Sequence, residues 1–110
     1  MIEGFWIVQY EGMRGNGGGV AVFTKGKILG GDSGYTYVGT YQTQGSTVKA
    51  HVECHNFLPD IPSVLGVTGD FELNINGKLD GNVISGTGSL PGAEAVGIAV
   101  KLTKRADLPA

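Results

Sequence analysis

The sequence predicts an all-β fold: eight short antiparallel strands closed into a barrel, in one small domain spanning residues 1–110. Three observations carry this expectation. Apolar and polar residues alternate with period two along most of the chain. No stretch sustains the i, i+3, i+4, i+7 spacing of an amphipathic helix between caps. Turn signals built from 20 Gly recur at hairpin spacing. A chain of 110 residues hides only about two-thirds of its unfolded surface, enough for one core and no second domain. Closure of the sheet removes the edges that would otherwise template aggregation.

The elements follow in order. Strand one, Gly4 to Glu11, puts Trp6, Val8 and Tyr10 on one face and Phe5, Ile7, Gln9 and Glu11 on the other. Gly12 and the run Gly15-Asn16-Gly17-Gly18-Gly19 read as a flexible hairpin loop. Val20–Thr24 and Lys27–Gly31 pair across Lys25-Gly26, with Phe23, Ile28 and Leu29 available to the core. Beyond Asp32-Ser33-Gly34, Tyr35, Tyr37 and Tyr41 share one strand face; Gly45-Ser46 then reverses the chain. Val48, Ala50, Val52 and Cys54 alternate with Thr47, Lys49, His51, Glu53 and His55, so the cysteine is expected inside. Residues 56–69, with Pro59 and Pro62, form a crossing loop with one helical turn expected at Ser63-Val64-Leu65.

Two hairpin dipeptides compete downstream, Asn76-Gly77 and Asp80-Gly81. Phe71, Leu73, Ile75, Gly77 and Leu79 keep phase through the first, so the reversal falls at the second. Val83–Leu90 returns, and a last strand carries Val96, Ile98, Val100 and Leu102 in register, with a loose tail from Arg105.

Composition narrows the function. A net charge of −2 supplies no field to gather nucleic acid or anionic lipid. No basic leader precedes an apolar run and no apolar run approaches the roughly 20 residues of a membrane span, so a cytoplasmic location is expected. The lone Cys54 has no internal partner for a disulfide.

The chemical signals are sparse. Gly31-Asp32-Ser33-Gly34 has the letters of a serine-protease nucleophile segment, but that chemistry needs a separately placed His and Asp on a far longer chain. The residues read instead as a turn, with Gly where positive φ is needed and Asp or Ser closing a local side-chain-to-backbone bond. His51 and His55 lie roughly 13 Å apart on a strand, and Cys54 points the other way, so these residues cannot converge on one metal ion. No cofactor is expected. The Gly15–Gly19 run lacks the Gly-Lys-Ser/Thr of a phosphate loop. The row of Tyr35, Tyr37 and Tyr41 suits either cross-strand pairing or the lining of a ligand cavity, with Trp6 a further cavity candidate.

Two groups of residues carry a resemblance. Gly4-Phe5-Trp6 is similar to the Gly-x-Trp start of lipocalin-like (calycin) barrels, in which the tryptophan plugs the closed end under an arginine near the last strand; Trp6 and Arg105 would take those parts. The run Gly30-Gly31-Asp32-Ser33-Gly34-Tyr35-Thr36-Tyr37-Val38-Gly39, then His51-Val52 and Ile61-Pro62-Ser63-Val64-Leu65, resembles the GrlR family. The resemblance implies a homodimeric barrel that negatively regulates type III secretion genes by binding a helix-turn-helix activator and keeping it from DNA. In the founding members an acidic Glu-Asp-Glu-Asp loop makes that contact. The matching positions here, Gln44, Gly45, Ser46 and Thr47, carry no charge.

The leading expectation is thus a non-catalytic regulator that sequesters a protein. The alternative is a barrel holding a lipid or other hydrophobic small molecule, and a weaker third is an enzyme using His51, Glu53 and His55. A homodimer is expected from the apolar letters on both faces of Val96-Gly97-Ile98-Ala99-Val100.

Overall fold

The computed structural model describes residues 2–12, 15–60, 63 and 69–109, without the side chains of 94–96. Eight strands run β1 (Gly4–Gly12), β2 (Gly15–Thr24), β3 (Lys27–Gly31), β4 (Tyr35–Gln44), β5 (Thr47–Asn56), β6 (Phe71–Asp80), β7 (Val83–Leu90) and β8 (Ala93–Ala106). Each pairs antiparallel with its sequence neighbour, and β1 pairs with β8 to close the barrel. All the strands turn their alternate residues onto one interior, where Trp6, Phe23, Ile28, Tyr35, Val52, Leu73, Ile84 and Leu102 are buried. The strand through Asn76-Gly77 continues as expected and reverses at Gly81-Asn82.

The meander sorts the connections between two ends. One end gathers the β2–β3, β4–β5 and β6–β7 turns together with the start of β1 and the end of β8. Trp6, fully buried, lies near this end against Phe23, with ring centroids 5.8 Å apart, and its Nε1–H donates to the Ile2 carbonyl at 2.9 Å. The opposite end, the mouth, gathers the β3–β4 turn and the connections before β2, β6 and β8. The expected helical turn at Ser63-Val64-Leu65 falls, apart from Ser63, outside the described residues.

Glycines let the sheet curl. A Cβ at Gly39 would overlap the His51 carbonyl oxygen and come within 2.9 Å of the Val52 Cα. Only hydrogen permits β5 to lie so close there.

Four local expectations change. The Gly15–Gly19 run is not a loop but the first half of β2, in register with β1 from Gly12↔Gly15 to Val8↔Gly19. A run in which Asn16 alone has a side chain shows no alternation, and the partner strand supplies what the letters lack. Leu29 faces outward, more than half exposed, because its neighbour Ile28 takes the inward position. Neither Gly31 nor Gly34 has positive φ; that conformation falls at hairpin glycines such as Gly26 and Gly45. β8 runs past Arg105 to Ala106, so the first two residues of the tail belong to the sheet, and the phase turns Arg105 to solvent while Lys104 faces inward. Lys104 stands opposite Trp6 in the β1–β8 register, its side chain 9% exposed and its Nζ 2.7 Å from Asp107. The cation near the tryptophan is therefore a lysine one residue earlier than the resemblance implied.

The outer surface is uneven. Ile7 pairs with Val20, Val22 with Leu29, and Leu29 with Val38, forming an outward apolar stripe across β1 to β4. On β8 Ile98 and Val100 are buried, and the outward positions among the described side chains include Ala99 and Lys101, so the large apolar residues described there face the interior. The outer face of β5 and β6 instead carries Lys49, His51, Glu53, Glu72 and Lys78.

Candidate functional site

The alternation that turns Val8, Val48, Leu73 and Leu102 inward leaves an apolar cavity of about 140 Å³ inside the barrel. Tyr10, Asp32, Ser33, Tyr35 and Tyr37 line it toward the mouth, and Val48, Ile84 and Leu102 toward the closed end. Trp6 and Tyr41 do not line it. Tyr41 stacks on Phe23 nearer the closed end, with centroids 5.0 Å apart. Tyr35 lines the cavity while its hydroxyl accepts from Asn56 Nδ2 at 3.0 Å and its ring packs on Phe71 at 5.4 Å.

Asp32 organises the mouth. Its Oδ1 accepts the backbone N–H of Gly34 at 2.9 Å and of Tyr35 at 2.8 Å, an Asx turn that bends the chain from β3 into β4. The Asp32 N–H donates to the Tyr35 carbonyl at 2.9 Å and tightens the same turn. This is the local side-chain-to-backbone bond expected of the segment. Oδ2 accepts the Tyr10 hydroxyl at 2.6 Å and the Tyr37 hydroxyl as well, which the turn itself does not require.

The flattened first half of β2 makes room for this cluster. A Cβ at Gly17 would come within 2.9 Å of the Tyr10 ring, and one at Gly19 within 3.1 Å of both the Tyr37 hydroxyl and the Asp32 Cβ. The glycines and the tyrosines are two halves of one arrangement.

Electrostatics follow from the same contacts. Burial opposes the Asp32 charge, but the hydrogen bonds from Tyr10, Tyr37, Gly34 and Tyr35 outweigh it and hold the carboxyl below its ordinary range. Burial and then the bond to Asp32 push Tyr10 up to about 12, and the same causes push Tyr37 upward as well. Both phenols therefore keep their protons at neutral pH. Burial, with the Asp32 charge adding, pushes the Cys54 thiol up to about 12, leaving it a protonated part of the lining.

The residues of the third reading do not converge. His51 sits on the outer face, with Nε2 2.6 Å from Glu72 and Nδ1 2.8 Å from Asn74. His55 faces a different carboxylate, Asp70, at 3.0 Å, and Glu53 stands opposite Glu72 in the register. Among the described residues no three of His, Cys, Asp or Glu come together to hold a metal ion.

The Gln44, Gly45, Ser46 and Thr47 segment forms the exposed β4–β5 reversal at the closed end, far from the mouth. Gly45 supplies the positive φ of the turn, the Ser46 carbonyl accepts from the Leu79 N–H at 2.7 Å, and Lys78 Nζ donates to Thr47 Oγ1 at 3.1 Å. A lysine rather than a carboxylate thus borders this turn. Of the tyrosine row, Tyr35 and Tyr37 lie toward the mouth, at the opposite end of the barrel from the reversal, and Tyr41 lies nearer the reversal.

Sequence reasoning missed Asp32 and Tyr10 as partners. They lie 22 residues apart, and only the inward phase of Tyr10 and the turn chemistry of Asp32 hinted at either.

These features define a class: a small closed meander barrel with an apolar interior and a carboxylate-bound tyrosine pair at its mouth. No helix among the described residues is long and apolar enough to cross a membrane. The family model described as T3SS negative regulator, GrlR, matches residues 1–101. The chain belongs to the GrlR family, a regulatory family of type III secretion. No curated protein matches it.

Proposed function

We propose that this protein represses type III secretion genes in the cytoplasm without catalysis, by binding a helix-turn-helix transcriptional activator and withholding it from DNA. Family membership over residues 1–101 is the observation that carries this reading. The contact surface on this chain is the β4–β5 reversal, Gln44, Gly45, Ser46 and Thr47. It protrudes from the sheet end, and its Gln44 and Ser46 are exposed. With no charge among Gln44, Gly45, Ser46 and Thr47 themselves, their own contacts are neutral hydrogen bonds, which should depend little on salt.

The protein acts as a homodimer. The stripe of Ile7, Val20, Leu29 and Val38 supports a shared face on β1 to β4, because it is contiguous and uncharged and a second copy offers the same uncharged surface. Sedimentation should give a dimer at micromolar concentration and a monomer for Leu29→Glu; a wild-type monomer overturns the dimer. For regulation, the test is a secretion-gene reporter with purified activator and operator DNA. The wild-type chain should lower reporter output and release the activator from DNA, and Gln44→Arg/Ser46→Arg should do so less. An activator that stays on DNA at saturating protein refutes sequestration.

A second reading is supported by the cavity of about 140 Å³: the barrel also holds a small hydrophobic molecule.

A further inference from the structure

Asp32 has no bonding capacity left for a ligand. A carboxylate offers about four lone-pair sites, and four donors occupy them: the Gly34 and Tyr35 N–H groups and the Tyr10 and Tyr37 hydroxyls. Each tyrosine has a single hydroxyl proton, and both are committed to the carboxylate. Tyr10 and Tyr37 line the cavity, and with their protons so committed all that their oxygens can offer a ligand there is acceptor capacity.

Size and charge add two further constraints. The cavity of about 140 Å³ is close to the roughly 150 Å³ of an engineered apolar cavity in another protein that stays dry and takes up benzene, so one ring fits and a long acyl chain does not. Asp32 is the only charged residue among the described lining residues. An anionic head would meet a fixed negative charge with no cation among the described lining residues to offset it, after losing its own hydration.

We propose that the barrel binds a neutral single-ring molecule with one hydrogen-bond donor, a phenol or benzylic alcohol, whose hydroxyl donates to the Tyr10 and Tyr37 oxygens, and that it rejects carboxylates. This rests on reading the barrel as a ligand cavity and names the chemistry it selects. The ring lies on the hydrocarbon of Val48, Ile84 and Leu102, where its transfer from water supplies the affinity. The head group supplies the selectivity.

The test compares toluene, benzyl alcohol and benzoate, which share one ring and differ in the head. Each is titrated into the full chain and followed by methyl chemical shifts of the cavity valines, leucines and isoleucines. Benzyl alcohol should bind about three- to tenfold tighter than toluene, and benzoate at least about tenfold weaker than toluene. Asp32→Asn sharpens the test. The Asn oxygen keeps the Asx turn while its amide donates to the two tyrosines, which frees their protons to point inward. In that variant toluene affinity should hold, benzoate should gain at least about tenfold, and the preference for benzyl alcohol should vanish.

Benzoate binding as tightly as benzyl alcohol, or head-group ratios unmoved by Asp32→Asn, would overturn the proposed selectivity while leaving a ligand cavity in place. Failure of toluene itself to bind would overturn the cavity reading and the selectivity with it.

Discussion

Replacing Asp32 by alanine is the sharpest probe of what holds the mouth together. The side chain accepts four hydrogen bonds, two from backbone N–H groups of its own turn and two from tyrosines on β1 and β4. The turn bonds act like a helix cap and contribute about 1 kcal/mol together. The phenol bonds go to a charged acceptor and are worth about 1.5–3 kcal/mol each in burial. Asp32 is only half-buried, so the lower bound applies and the pair contributes about 3 kcal/mol. The expected loss for Asp32→Ala is thus about 4 kcal/mol. With a slope of about 2 kcal/mol/M for a chain of this size, the urea midpoint should fall by about 2 M.

Asp32→Asn keeps the turn and loses the charge, so it should fall by about half as much. The charge also makes a pH signature. Because the folded carboxyl sits below its ordinary range, its contribution is present above the unfolded value of about 4 and disappears as pH falls through the folded value. The stability difference between wild type and Asp32→Asn should therefore shrink on acidification from pH 5 to about pH 2. An alanine variant within about 1 kcal/mol of wild type, or a difference flat with pH, would refute the claim that the carboxylate ties β1 to β4.

Three other outcomes are expected. Gly39→Ala should destabilise by more than about 3 kcal/mol in chemical denaturation, because its methyl meets the β5 backbone at His51 and Val52 rather than a side chain that can move. Cys54 should react with a thiol reagent only as fast as the protein unfolds, since its thiol is buried and its pKa is pushed up to about 12; a rate that follows reagent concentration under native conditions would contradict this. The imidazole of His51 is held above its ordinary pKa by its bonds to Asn74 and then Glu72, so whatever it adds to stability is full below about pH 6.5 and is lost as pH rises through the folded value. Nuclear magnetic resonance titration should show its pKa fall in Glu72→Gln, and an unchanged value would mean that the pair does not form in solution.

Strand identity was legible wherever side chains alternate. The phase of Val48, Ala50, Val52 and Cys54 against His51, Glu53 and His55 foretold both the buried thiol and the two outward imidazoles. The same reasoning carries β6 through Asn76-Gly77 despite that dipeptide's strong turn signal. It fails at Gly15–Gly19, where four glycines around Asn16 leave nothing to alternate. At Ile28-Leu29 it left both apolar residues free for the core, although a pleated strand admits only one. At Arg105 the strand was ended too early, and the inward cation passed to Lys104. On β8 the expectation of apolar letters on both faces gives way to phase, which turns Ile98 and Val100 inward.

Period-two alternation and turn chemistry, both properties of a few adjacent residues, determine from the sequence alone that the chain forms an all-β fold of antiparallel strands with Cys54 inside. What only the tertiary structure decides is which distant residues meet. Tyr10, Asp32 and Tyr37 are brought to one carboxylate by β1, the β3–β4 turn and β4, while Gly17 and Gly19 of β2 leave the space they need. That meeting depends on barrel curvature and register, which arise from all eight strands closing at once and are written in no local stretch of the chain.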